Sequence, residues 1–223
     1  MPYRILVQGR KDLLRQSGDR AQSDWGIDTW RYKARTYLKL VHYLVMAESL
    51  EPTVTMRPLL LEDWTSIHEW SQLEDVYRFQ VWGPNSLDET LHFVEVALTE
   101  AALKPRTRFV WAAEDSDHRV IGIAELRTRD AHSGRGEVSY IVHPDRWRNG
   151  YATRMASWVI AFAFAELEMH RVEATCDPRN AASAAVLRKV GMTYEGRSRE
   201  VLKIRDGWRD SEIFSILKAE WTQ

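Results

Sequence analysis

Val142-His-Pro-Asp-Arg-Trp-Arg-Asn-Gly150-Tyr-Ala-Thr153 runs from an apolar strand end, through a short loop, into a helix that begins with small residues. Small residues there let a ligand approach the backbone closely. The free N–H groups of a first helical turn, aligned with the helix dipole, favour an anion such as a pyrophosphate, and Arg148 adds a positive charge. No Gly-Lys-Ser/Thr follows and the pattern is not Gly-x-Gly-x-x-Gly, so it is neither a Walker loop nor a dinucleotide fingerprint. A second stretch, Cys176-Asp-Pro-Arg-Asn180-Ala-Ala-Ser183, leads into Leu187-Arg-Lys-Val-Gly191-Met192. Either Asn180 or Asp177 caps that helix, or Asn180 and Ser183, one turn apart, present polar groups to one ligand. Spacing alone leaves both readings open.

Outward from these stretches, strands and helices alternate from Thr53 onward. Residues 53–59 alternate as a strand. Residues 62–73 carry Trp64, Ile67 and Trp70 at helical spacing. Ser86-Leu-Asp-Glu89 is a capping box that opens a helix with Leu87, Leu91, Val94 and Leu98 on one stripe. Residues 109–114 and 120–126 read as a hairpin, and 136–142 as a strand. A long apolar helix (151–167), a strand (171–176) and a helix (181–190) stopped by Gly191 follow. A last hairpin turns at Arg205-Asp-Gly207-Trp. The expected class is α/β (α+β), with an open mixed sheet.

The 223 residues suffice for one domain with a sizeable core and something left over. A formal charge of −1 gives no global electrostatic case for nucleic acid or an anionic membrane. One cysteine, Cys176, excludes an internal disulfide and a cysteine-based zinc site, so the expected compartment is the reducing cytoplasm. The seven histidines show no metal spacing, no metal is expected, and no apolar run approaches the roughly 20 residues of a membrane span. Residues 1–50 carry nine Lys/Arg against five Asp/Glu. Within them, Ile27, Trp30, Ala34, Leu38, Val41 and Val45 fall at helical spacing among Lys33, Arg35 and Lys39. We read 1–52 as an N-terminal extension with a basic amphipathic helix over about 27–48, and 53–223 as the main domain. The apolar face of that helix suits packing on the body of the protein or a homodimer.

Taken together and in order, these motifs resemble the GNAT N-acetyltransferase superfamily over about 53–221. The branch-like features, similar to the RimJ/RimL-like branch, are Met56-Arg-Pro, Trp82-Gly-Pro, Gly-Tyr-Ala-Thr153, Cys-Asp-Pro-Arg-Asn180, Tyr-Glu-Gly196 and Arg-Asp-Gly-Trp-Arg-Asp210. The resemblance implies a mostly antiparallel mixed sheet whose central strands, 136–142 and 171–176, splay to admit the pantetheine arm of acetyl-CoA. It implies pantetheine contacts from the backbone of Ile141 and Val142, and a pyrophosphate cradle at Arg148, Asn149, Gly150, Tyr151, Ala152 and Thr153. Asn180 and Ser183 would contact the cofactor. An amine, from a protein N-terminus or a small molecule, would attack the thioester directly. Glu137 is the expected base, with Glu125 in reserve and Glu200 third. Where many members have a Tyr acid this chain has Leu187, so Ser183 is the substitute acid. Trp82 and Glu125 are expected at the acceptor. Cys176 is expected to pack rather than to carry acyl groups. The alternative is a non-catalytic acyl-CoA-binding module.

Overall fold

A computed structural model describes residues 53–221. The expected helix over 27–48 and the 1–52 extension lie outside the described residues. The elements are β1 (Thr55–Pro58), α1 (Trp64–Ser71), α2 (Glu74–Tyr77), α3 (Leu87–Ala101), β2 (Arg108–Glu114), β3 (Val120–Asp130) and β4 (Arg135–Val142). They continue with α4 (Tyr151–Ala165), β5 (Arg171–Cys176), α5 (Ala181–Lys189), β6 (Thr193–Ile204) and β7 (Gly207–Leu217). Seven strands form one sheet in the order β1-β2-β3-β4-β5-β7-β6. Every neighbouring pair is antiparallel except β4 and β5, which run parallel. That is the expected mixed fold.

Strand alternation divides the core. Ala124, Leu126, Val138, Val142 and Val172 face α4 and α5, where Met155, Val159, Ile160 and Leu187 are buried. Val110, Ala112 and Ile123 face the other way, onto Ile67, Trp70 and Val94 of α1 and α3. The capping box forms as the sequence predicts: Ser86 Oγ accepts from Glu89 N (3.2 Å) and Glu89 accepts from Ser86 N (2.7 Å). The stripe of α3 is shifted, however. Thr90, Val94 and Ala97 are its buried residues, while Leu87, in the overhanging first turn, is 47% exposed. Trp158, on the long apolar helix, lies at the rim of the core, 38% exposed and edge-on to Trp111. No helix among the described residues is long and apolar enough to cross a membrane.

Two features shape the centre of the sheet. β4 and β5 pair only at Arg135/Arg171, Gly136/Val172 and Glu137/Glu173, and diverge thereafter. On the other side of β4, Gly122 of β3 approaches so closely that a Cβ there would stand 2.2 Å from the Ile141 carbonyl oxygen. Gly122→Ala must therefore push β3 from β4, and should lower stability by about 1–3 kcal/mol. A urea titration checks this; an unchanged midpoint would show that the close approach is relieved at no cost.

Candidate active site

The divergence of β4 from β5 opens a cavity of about 530 Å³. Glu137, Ile141, Asn180, Ser183, Trp82 and Glu125 line it, so these six sequence-expected residues are brought together from β3, β4, α5 with its N-cap, and the chain between α2 and α3. Val142, Arg148, Asn149, Gly150, Tyr151, Ala152 and Thr153 do not line it; they form the strand end, the turn and the first turn of α4. Glu200 does not line it either. It sits at a bulge of the exposed β6 with φ of 47°, and its N–H donates to Asp210.

The turn before α4 is held in an unusual backbone. Arg148 (φ 65°) and Gly150 (φ 81°) both lie in the left-handed region, and the space around Gly150 is open. Trp147 Nε1 donates to the Val142 carbonyl (2.7 Å). Arg146 Nη2 donates to Asp115 (3.0 Å), which is 5% exposed and also accepts from the N–H groups of Asp117 and Arg119. Burial pushes the Asp115 carboxyl up, but these donors outweigh it and hold it below the usual carboxylate range. A charged, buried Asp115 thus pins the loop from the far side.

Ladder alternation sorts the backbone groups of β4. His143 N donates to Ile121 O (2.7 Å), so residues 141 and 143 turn their N–H and C=O toward β3. Those of Tyr140 and Val142 turn toward the opened side, where the Val142 carbonyl already accepts from Trp147. Side chains alternate as well. Glu137, Ser139 and Ile141 face α1 and α3, whereas Tyr140 faces α5, where its hydroxyl lies 3.2 Å from Ser183 Oγ. Burial pushes the Tyr140 hydroxyl well above the usual phenol range, against the Ser183 bond that lowers it, so the phenol stays protonated. Tyr140 was not legible from the sequence, because its position in the alternation reads as one more core residue beside Val138.

Glu137 accepts from Arg129 Nε (2.6 Å) and from Thr175 Oγ1 (3.5 Å). Glu125 accepts from Arg108 Nη2 (3.0 Å) and Arg127 Nε (3.1 Å). Asn180 Oδ1 accepts from Ser183 N (3.0 Å), so its side chain does cap α5, and it lines the cavity at the same time. Both open readings of that residue are compatible in space. The 2% exposed Asp177 fixes this turn. Burial raises its carboxyl, but hydrogen bonds from the Arg179 backbone N–H and guanidinium prevail and lower it. Cys176 is 5% exposed, and burial pushes its thiol up to about 11.

The wall opposite the splay is the chain between α2 and α3, and the β6–β7 turn fastens it. The Arg205 guanidinium donates to the carbonyls of Trp82 (2.8 Å), Gly83 (2.5 Å), Tyr77 (2.5 Å) and Gln80 (3.2 Å). It also lies over the Tyr77 ring, and Arg209 donates to Phe79 O (2.6 Å). Sequence reading saw only a tight turn at 205–208, since these partners lie more than 120 residues away.

Residues 53–193 match the family described as Acetyltransferase (GNAT) domain. The chain is 26% identical over 166 residues to an uncharacterized N-acetyltransferase, YnaD, of Bacillus subtilis, covering 74% of this chain and 94% of that one. It is 23% identical over 169 residues to the spermidine N(1)-acetyltransferase of Escherichia coli, covering 76% and 88% respectively. In structure it is similar to the spermidine N-acetyltransferase of Vibrio cholerae solved with CoA and spermine. The TM-score is 0.66 at 20% identity, over 75% of this chain and 96% of that one.

Two outcomes follow from this geometry. Arg205→Ala should free the cavity wall and raise KM for the amine about tenfold while leaving KM for acetyl-CoA unchanged; equal changes in both would refute the clasp. With its thiol near 11, Cys176 is roughly one part in a thousand thiolate at pH 8. The native protein should therefore resist alkylation that the urea-unfolded chain undergoes quickly, and Cys176→Ala should retain full activity.

Proposed function

The chain belongs to the GNAT acetyltransferase family, and from that premise we propose how its residues pass an acetyl group from acetyl-CoA to a primary amine. It is an N-acetyltransferase, and acetyl-CoA is its acyl donor. The observation that carries the residue assignments is the splay itself: a parallel pair that stops after Glu137/Glu173 and opens a cavity with Glu137 on one face and Ser183 on the other.

The residues present fit the donor. Outward N–H groups on the splayed part of β4 accommodate an extended arm like an added strand, and the open turn at Arg148–Gly150 with the first turn of α4 accommodates a pyrophosphate. Tyr140 and Val142 offer those strand groups, and the backbone of Ile141 does not, since it is engaged with β3. Arg148, Asn149, Gly150, Tyr151, Ala152 and Thr153 supply the N–H cradle, and Asn180 and Ser183 line the way between. Bound acetyl-CoA supplies an activated acyl group. Glu137 takes the proton of the attacking amine, Trp82 and Glu125 border the acceptor, and an outward N–H of β4 polarises the carbonyl. Ser183, with the protonated Tyr140 behind it, donates to the leaving sulfur.

Support for the RimJ/RimL-like branch is the ordered motif set from Met56 to Asp210, and support for a cytoplasmic setting is the single unpaired cysteine. The acetyl-CoA-dependent enzyme is favoured over a non-catalytic module by the family placement and by a base and a donor on opposite faces of one cavity.

Glu137→Gln should lower kcat about 10²–10⁴-fold with acetyl-CoA binding intact. Binding is read as thermal stabilisation, worth about 2.7 kcal/mol at a hundredfold excess over Kd. Asn180→Ala and Gly150→Glu should abolish that shift. Full activity in Glu137→Gln would remove it as the base, and no shift at millimolar acetyl-CoA in the wild type would sink the cofactor assignment.

A further inference from the structure

The half of the cavity facing α1 and α3 is where the acceptor amine enters, on the reading given above, and its walls restrict what the rest of that acceptor can be. Trp70, Phe93, Ile123, Ile141, Phe79 and Trp82 make its apolar surface. Carboxylates do line the cavity, and at first sight they suit a polycation. Each is already engaged. Glu89 accepts from Ser86 N in the capping box (2.7 Å). Glu125 lies between Arg108 and Arg127, and Glu137 is held by Arg129. Asp177 is bound by Arg179, and Arg209 contributes a further positive charge to the lining. Three of the four carboxylates, Glu125, Glu137 and Asp177, are thus paired with four guanidinium groups, while Glu89, exposed at the first turn of α3, holds only the backbone donor.

A di- or polyamine keeps further ammonium groups after one nitrogen is acetylated. Each of these needs a free carboxylate, because a buried charge without a partner is costly. Away from the exposed Glu89, such groups would have to displace Arg108, Arg127 or Arg129, each itself within the sheet. The Arg108 guanidinium also lies over the Phe93 ring, 5.3 Å from its centroid. It spends its charge on the wall rather than leaving the wall open to a cationic ligand. A ring or branched aliphatic body, by contrast, gains from the apolar surface and from edge or offset contacts with the aromatic side chains.

We propose that the acceptor is a small monoamine whose body is aromatic or bulky and apolar, and that polyamines are disfavoured because the carboxylates on the sheet side of the chamber, Glu125, Glu137 and Asp177, are already paired with arginines. Deepening the acetyltransferase reading, this names the substrate class of the same site.

The test measures initial rates of CoA release by the full-length protein at saturating acetyl-CoA, with 2-phenylethylamine and tryptamine against putrescine and spermidine. The expected result is a kcat/KM for the aromatic amines about tenfold or more above that for either polyamine. Phe93→Ala should then lower kcat/KM for the aromatic amines roughly tenfold and leave KM for acetyl-CoA unchanged. Equal or faster turnover of spermidine overturns the proposal, as does transfer to neither class, or to a peptide N-terminus in preference to both. Thermal stabilisation by acetyl-CoA, measured on the same preparation, separates the two failures. If it persists, only the acceptor assignment falls; if it is absent, the cofactor assignment falls with it.

Discussion

A parallel strand pair that closes over three residue pairs and then diverges leaves N–H and C=O groups in the middle of a sheet without ladder partners, and such groups are costly to bury unsatisfied. β4 and β5 are tied at their closed end by Arg135–Glu173 (3.3 Å), and Glu173 is held in place on its own strand by Arg171 (3.4 Å). Beyond Glu137 the gap is spanned by side chains: Tyr140 meets Ser183 of α5, and Trp147 covers the Val142 carbonyl. Some of the sheet's hydrogen-bonding capacity is thereby left for a bound molecule. The base, the donor and the anion-binding turn all take their places from that divergence, since Glu137 is the last paired residue of β4 and the turn at 143–150 begins where the strand ends.

What the sequence displays are features whose partners lie nearby in the chain. The capping box at Ser86 and Glu89, the strand alternation of 136–142 and the small residues opening α4 each declare themselves within a few positions. The ordered motifs then order the sheet. Errors arise where a local pattern meets a distant surface. Leu87 falls on the apolar stripe of α3 yet overhangs its end, and Trp158 has the spacing of a core residue but reaches only the rim. The resemblance assigns the Ile141 backbone to the pantetheine arm; which edge its N–H faces depends on the pairing with β3, which no local spacing encodes. Tyr140 and Arg205 are illegible in the sequence for the same reason. Each contributes through a contact with an element far along the chain.

Arginine is the common instrument of these long-range contacts. A planar guanidinium can satisfy several acceptors at fixed angles, as Arg205 does with four carbonyls and Arg108 with Glu100 and Glu125. Lysine, a single ammonium on a flexible stem, has no such fork. Glu125 and Glu137 are therefore rigid as well as neutralised, and their positions are set by the sheet rather than by solvent.

The strand order carries a temporal consequence. β7 lies between β5 and β6, pairing with β5 over six residue pairs, although β6 precedes it in the chain. During synthesis β6 emerges with no edge to join until β7 has followed and inserted beside β5. The turn between them, which bears Arg205, can reach the segment at 77–83 only after that insertion. A chain that has built only β1–β5 thus holds a chamber whose wall is unfastened until the hairpin is laid down.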